Sequence, residues 1–478
     1  MTAPLMLLLD GNSLTIADVA AVAEGSRSVA LAPAARERMR TTRAIVEGFV
    51  ARGEVVYGVT TGFGKLSDIA IAPDQLAQLQ VNLVRSHAAG VGPRLAVPTV
   101  RAMMLLRANV LAKGFSGARP ELAELLCGML EQRLHPQIPE QGSVGASGDL
   151  APLAHLALAL IGEGMLEHPA GVGQADAVLR AYGFAPVRLG PKEGLALING
   201  TQAHTAVAAL SLVEARRCWD AAHAAGALTL EALLGTPTAF DPRIHAARGQ
   251  RGQQVSADRM LRLLANSEIR ESHRDGDSRV QDAYALRCIP QVHGPVLQAI
   301  EFAESLVIPE LNAATDNPLV FDDGTMLSGG NFHGQAAAMA MDVLAIAMTN
   351  LAVMSERRTD RLVHPDLNEG LPPFLTSTAH AQTVTLDVLY AFPAFARFHE
   401  PIAAELSECI ADLRRVNEEL WVIEDHLRDC ERRADFGDAF TQAARSVYRL
   451  NDRRTDLKRQ INRLVGSRSG EAKSHTTY

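Results

Sequence analysis

Aromatic residues are scarce in this chain of 478 residues, at 5% against 47% hydrophobic residues overall. Runs of β-branched residues are few as well, while Ala and Leu are abundant. That balance argues for helices over sheets. Cysteine is also sparse: Cys127, Cys218, Cys288, Cys409 and Cys430 are far apart, odd in number and form no CxxC pair. A disulfide-stapled scaffold is excluded, and reduced thiols in a cytoplasmic protein are expected. Neither sign of charge dominates, the net charge being −8. Without a basic excess, nothing marks a nucleic-acid binder. No stretch approaches the ~20 apolar residues of a membrane span, so no membrane partner is expected. The apolar run Leu5 to Leu9 stops at Asp10 and has no basic flank. It reads as a buried first strand or turn, not a signal segment. The 15 histidines include no H-x-x-x-H or H-E-x-x-H cluster, so no metal site is expected.

What is present is helical periodicity. At about 150 residues per average domain, one to three domains are expected. Leu76, Leu79, Leu83 and Val84 repeat at steps of three and four, as do Met103, Leu106, Val110 and Leu111. Pro120 sits where a helix would start, before the stripe Leu122, Leu125, Leu126 and Met129. The stretches 150–166, 195–234 and 334–354 are apolar nearly all round and read as buried helices of a large bundle. Polar loops rich in Gly, Ser, Asn and Asp interrupt them at 57–65, 140–152, 266–288 and 312–334. Such loops, set among apolar helices, are where a site is expected.

The last 78 residues differ. They hold 28 charged residues, about 36%, against 72 in the 400 residues before them, or 18%. Leu406, Ile410, Leu413, Val416, Leu420, Ile423 and Leu427 form one helical stripe. Phe440, Ala443, Val447, Leu450, Leu457, Ile461 and Leu464 form another. The two read as amphipathic helices of a hairpin joined near Gly437.

GSVGASGDLAP at 142–152 is the most unusual segment. It is not a P-loop, a GxSxG elbow or a dinucleotide GxGxxG. On local pattern it is a structural turn or an anion site at a helix start. A sharper chemistry is open to it. The small neighbours of Ser147 let the amide nitrogen of Gly148 reach the carbonyl carbon of Ala146. Loss of water from that ring, and from Ser147, would leave a conjugated methylene electrophile.

GSVGASGDLAPLAH resembles the signature of the histidine and aromatic amino-acid ammonia-lyases. In that family the triplet matures to 4-methylidene-imidazol-5-one (MIO). Other segments resemble the family in order: LLDGNSLT at 8–15, YGVTTGFG at 57–64, NLVRSHAAGVG at 82–92, KEGLALINGTQ at 192–202, VQDAYALRC at 280–288, ELNAATDNPLVF at 310–321, SGGNFHG at 328–334 and LNEGLPPFL at 367–375. The fumarase-like lyases share helical architecture but use a GSSxMPxKxN loop, which is absent here.

The resemblance implies a mainly α fold: an elongated helical bundle of the ammonia-lyase/fumarase-like type, with a loop-rich N-terminal part and a C-terminal helical hairpin. It implies a lyase body over 1–376, a junction over 377–404 and a charged helical segment over 405–478. It implies a carbon–nitrogen lyase of histidine degradation that eliminates ammonia from L-histidine to give trans-urocanate. MIO would form from Ala146, Ser147 and Gly148 without metal or nucleotide, in a cytoplasmic homotetramer. Tyr57 would take the β-proton, and Asn199 would contact the prosthetic group or the substrate amine. Arg287 would hold the substrate carboxylate, and His87 would face the imidazole. Gln281, Tyr284 and Phe332 match further site positions.

On their residues alone, these positions have plainer readings: a turn aromatic for Tyr57, a locally satisfied amide for Asn199, a surface ion pair for Arg287, a core histidine for His87 and loop packing for Tyr284 and Phe332. After about Leu375 the family's pattern ends. Its SGFM-like segment and its Ser-Glu-Asn segment, whose glutamate serves histidine-type sites, are not found. Glu400, Glu405 and Glu408 fit no motif. Residues 405–478 resemble a small bacterial helical family of unknown function. Two other readings stay open: a lyase-like fusion whose tail serves interaction, and a related aromatic ammonia-lyase or aminomutase.

Overall fold

The computed structural model describes residues 6–62, 71–277, 279–372 and 375, scattered positions from 412 to 437, and 438–464. The junction at 377–404, with Glu400, and the positions of Glu405 and Glu408 lie outside the described residues. The chain divides into two compact units. The first comprises residues 1–220 and 293–351, the second 221–292 and 352–478.

The first unit begins with β1 (Leu7–Leu9), which pairs in parallel with β2 (Val29–Leu31). Between them lies α1 (Ile16–Ala23), capped by Thr15, whose side chain accepts from the Asp18 amide while Asp18 reaches back to the Thr15 amide. Then come α2 (Pro33–Ala51), α3 (Leu76–His87), β3 (Val91–Arg94), α4 (Val97–Ala112) and α5 (Pro120–Glu131). Pro120 opens its helix as its fixed φ and missing N–H favour. A further run comprises β4 (His135–Pro136), β5 (Pro139–Gln141), α6 (Leu150–Leu160), β6 (Met165–His168), β7 (Gly171–Gln174), α7 (Ala175–Ala181) and α8 (Glu193–Ile198). The remaining α-helices among the described residues are α9 (Gln202–Ala232), α10 (Pro242–Arg248), α11 (Arg251–Leu263), α12 (Glu268–Ser272), α13 (Tyr284–Arg287), α14 (Ile289–Glu310), α15 (Gln335–Val363) and α16 (Asp438–Leu464). Strands are few and short, so the scarcity of aromatic and β-branched residues is matched by a mainly helical body.

Helix α4 is the centre of the first unit. Nearly every residue from Val100 to Ala112 is buried, including Arg107 and Asn109. Buried polar groups need partners, and here those partners tie distant segments together. The Asn109 side chain accepts from the Gly11 amide at 3.0 Å and donates to the Leu311 carbonyl at 3.0 Å. In the second unit Leu230, Leu233, Phe240, Met260, Leu286 and Ile289 form a compact core. The positions described from 412 to 432 are helical, and α16 starts one residue after Gly437.

Helix α15 departs from the expectation of all-round burial. Ala337, Ala340, Leu344, Ala347 and Leu351 are buried, while Met339, Ile346 and Val353 are 50%, 66% and 53% exposed. The latter are seven residues apart and form one bare apolar stripe. By length and composition α15 is also apolar enough to cross a membrane. That corrects the expectation that no stretch approaches a span: apart from Asp342 its charges cluster near the C-terminal end, leaving an 18-residue window that is apolar overall.

Candidate active site

The glycine-rich segment forms a tight turn between β5 and α6. Gly145 and Gly148 bridge each other, as do Ala146 and Gly148, and the Gly148 amide donates to the Gly145 carbonyl. Gly145 and Gly148 have φ of +79° and +82°, a region that favours glycine. Ala146 and Ser147 are exposed, whereas Gly148 and Asp149 are buried.

The wall behind the turn is α8 and the residues after it. At the N-terminal end of α8, the buried Lys192 ammonium donates to Asp316 at 2.8 Å. Glu193, also fully buried, accepts from the Arg119 guanidinium at 2.8 Å and from the Gly190 amide at 2.7 Å. Burial alone would raise the Glu193 carboxyl, but these donors outweigh it and hold the group below its ordinary value. At the other end stands Arg107, fully buried on α4. It donates to the Ala196 carbonyl at 2.9 Å, to the Asn199 carbonyl at 3.2 Å and to the Gln202 side chain. Burial pushes its guanidinium down to about 10.

The short helix is thus fixed at both ends, and it presents Asn199. The Asn199 Nδ2 donates to the Ser147 carbonyl at 3.5 Å, while its Oδ1 is buried with no partner. Gly200, at φ +154°, leaves no room for a side chain, since an added Cβ would lie 2.5 Å from Arg107 Nη2. A Cβ at Gly148 would lie 2.6 Å from the Gly200 oxygen. The backbone of the turn therefore rests directly on the backbone beside Asn199.

Sequence reasoning missed the polar group under this turn. Asp149 is the backbone N-cap of α6, yet its side chain caps α9 instead. Its Oδ2 accepts from the Ala203 and His204 amides at 2.8 and 3.0 Å, and its Oδ1 from Ser143 Oγ at 2.5 Å and His204 Nδ1 at 2.8 Å. The only signal was the charge at the end of GASGD. Arg107 gave none, since it sat within an apolar helical pattern.

The other expected residues lie as follows. Phe332 is half-buried on the loop that reaches the turn through the Gly334 amide, which donates to the Gly145 carbonyl at 2.9 Å. His87 ends α3, a helix that packs on α6 and α8. Its Nδ1 is 2.8 Å from the Leu83 carbonyl, which can only accept, and 3.1 Å from Ser86 Oγ, so Nδ1 carries a proton and Nε2 is the ring nitrogen not engaged by these contacts. Tyr57 is half-buried in a compact turn closed by Thr60 and Thr61 hydroxyls, each accepting a backbone amide. Gln281, Tyr284 and Arg287 come together in the second unit. Arg287 donates to Gln281 Oε1 at 2.5 Å, and its guanidinium carbon lies 4.5 Å from the centre of the Tyr284 ring. Tyr284 is 72% exposed. Among the described residues no group of three or more His, Cys, Asp or Glu side chains is placed to hold a metal ion.

The residues present fit a prosthetic group made from the turn. Small residues flank Ser147, the chain doubles back between Gly145 and Gly148, and the unpartnered Asn199 Oδ1 is buried beside it.

This helical body is the fold of the ammonia-lyases and aminomutases. The structure of histidine ammonia-lyase from Trypanosoma cruzi is similar with a TM-score of 0.72 and 40% identity, covering 82% of this chain and 76% of that one. Tyrosine aminomutase from Streptomyces globisporus is similar with a TM-score of 0.75 and 36% identity, covering 83% and 78%. Residues 14–391 match the aromatic amino acid lyase family, and the chain belongs to that family. Histidine ammonia-lyase of Anaeromyxobacter sp. (strain K) is 55% identical over 378 residues, 77% of this chain and 74% of the relative. Histidine ammonia-lyase of Geobacillus thermodenitrificans (strain NG80-2) is 50% identical over 398 residues, 83% of this chain and 79% of the relative.

Proposed function

We propose that the chain is a carbon–nitrogen lyase that eliminates ammonia from L-histidine to give trans-urocanate. The observation that carries this is the 146–148 turn, closed on itself and seated against Asn199 and Gly200. Identity of 50–55% to histidine ammonia-lyases supports the same substrate. MIO, formed from Ala146, Ser147 and Gly148, would supply an electrophilic carbon that makes nitrogen a better leaving group.

The chain's own residues divide the remaining work. The Tyr57 hydroxyl oxygen would accept the β-proton. The Asn199 side chain, with its spare Oδ1, would receive an N–H of the substrate amine. Arg287 would hold the carboxylate with two parallel N–H bonds. His87, protonated on Nδ1, would offer its Nε2 lone pair to a ring N–H of the substrate. Gln281 steadies the Arg287 guanidinium, and Tyr284 lies under it. Phe332 would close the pocket wall and exclude water. The family's glutamate has no counterpart assigned among these residues.

The reading includes a cytoplasmic homotetramer. The bare stripe Met339, Ile346 and Val353 supports it, because a seven-residue apolar repeat is the surface that helices of neighbouring copies cover.

Intact mass and a histidine assay test the reading together. Loss of about 36 Da, two waters, with urocanate absorbance appearing on addition of histidine, is the expected result. Folded protein of unmodified mass would overturn it. A matured chain that leaves histidine untouched would favour the aromatic lyase or aminomutase reading.

A further inference from the structure

His204 lies across the base of the turn and touches what lies at both of its ends. On the far side, its Nδ1 is 2.8 Å from Asp149 Oδ1, the residue directly after Gly148. On the near side it packs on Gly334. A Cβ added there would lie 2.4 Å from His204 Cε1, and the Gly334 amide is bonded to Gly145, the residue directly before Ala146. No other histidine of the chain is placed this way among the described residues, and the 142–152 segment itself gives no hint of it.

The Asp149 carboxylate is fully buried and accepts four bonds: two from the backbone at the start of α9, one from Ser143 and one from the imidazole. A buried carboxylate keeps its place only while its oxygens stay satisfied. Of those four donors, the imidazole is the one that also packs on Gly334, whose amide is bonded to the other end of the turn. Its Nε2 is buried and has no partner, so the ring is held by Asp149 on one side and by packing on the other.

We infer that His204 is a positioning residue for the self-cyclisation of Ala146-Ser147-Gly148. It fixes Asp149, and through Asp149 the Gly148 nitrogen, while Gly334 fixes the approach to Ala146. The covalent change is internal. The Gly148 nitrogen bonds to the Ala146 carbonyl carbon and loses its proton. That proton and the Ser147 amide proton depart with the carbonyl oxygen as one water, which leaves a double bond between the Ala146 carbonyl carbon and the Ser147 nitrogen. The Ser147 α-hydrogen and hydroxyl depart as a second water, which leaves the Cα=Cβ methylene. His204 supplies geometry to these steps and is not consumed. The inference rests on the maturation proposed above.

The test follows the mass of full-length chain, freshly expressed, as His204→Leu, His204→Asn and Ser143→Ala, with circular dichroism to confirm folding. His204→Leu fills similar space but has no donor for Asp149. It should mature at least about tenfold more slowly than the unsubstituted chain, as expected for loss of a hydrogen bond to a charged group. His204→Asn, which retains a donor at the Nδ1 position, should recover most of the rate. Ser143→Ala, which removes a donor that does not span the turn, should mature faster than His204→Leu. A folded His204→Leu that matures at the normal rate would overturn the inference. If His204→Leu does not fold, His204→Asn decides: folded and matured supports the inference, folded and unmatured overturns it. If the unsubstituted chain shows no 36 Da loss, the maturation reading fails instead, which is a separate outcome.

Discussion

Gly148 and Gly200 meet backbone to backbone, so closely that a methyl on Gly148 would lie 2.6 Å from the Gly200 oxygen. The Asp149 amide, one residue on, donates to that same oxygen at 2.7 Å. Residues more than fifty positions apart are locked together without a side chain between them.

Gly200→Ala should therefore block maturation. The new methyl would also press on Gln202 Oε1 and Arg107 Nη2 at 2.4 and 2.5 Å. The expected product is a chain that keeps its full mass and does not turn over histidine, while circular dichroism still shows helix. Intact mass spectrometry checks it.

Arg107→Met should lower stability by about 2–4 kcal/mol, because the Ala196 and Asn199 carbonyls lose a buried donor. A urea titration measures the shift. Unchanged stability would mean that water replaces the guanidinium.

His87→Phe should reduce histidine turnover by at least about tenfold, since a ring N–H of the substrate loses its acceptor. A companion His87→Gln, which restores an acceptor oxygen, should recover part of the loss. Equal turnover in all three proteins would place some other side chain against the imidazole.

Arg287→Lys should raise KM for histidine about tenfold and change kcat less. A lysine gives a point charge in place of a planar fork, and it also loses the stacked position over Tyr284. Steady-state kinetics separates the two constants.

Stability should fall with acid through His135. Burial first, then the Arg101 and Arg133 charges, push this imidazole down to about 4. Arg101 Nη1 donates to its Nε2 at 3.0 Å, which holds the ring neutral. The unfolded chain takes up the proton near ~6.5, the folded chain only near 4. The contribution is complete above ~6.5 and is lost as pH drops from there to about 4. Melting temperatures of the unsubstituted chain and of His135→Gln across that range should diverge, with the variant showing the flatter profile.

Much of this was legible in the sequence. Three- and four-residue apolar steps located α3, α4 and α5, and Pro120 marked its helix start. The loop rich in Gly and Ser was recognisable because small residues and one serine are an uncommon combination before an apolar helix. Burial of α15 was misjudged, because the helix is apolar nearly all round in sequence, and such a pattern does not say which of its faces the rest of the chain covers. Arg107, Asp149 and His204 were invisible for a different reason. Their importance lies in pairing across long sequence separations, and neither a lone arginine in a leucine-rich helix nor a histidine in an alanine-rich one carries that pairing in its neighbours. Gln281, Tyr284 and Arg287 were nameable from the family pattern, but the stacking of Arg287 on Tyr284 and its bond to Gln281 emerge only in the folded chain.

The short helix α8, fixed at one end by Lys192 and Glu193 and at the other by Arg107, has a consequence for the history of each molecule. The turn it faces has walls drawn from residues 107, 199, 200, 204 and 334, so that chamber exists only after the chain has folded. A covalent change that the turn makes in itself cannot be undone when the chain later unfolds. Each mature polypeptide would carry a permanent chemical record of having once been folded, and the matured fraction of any preparation would count the molecules that got there.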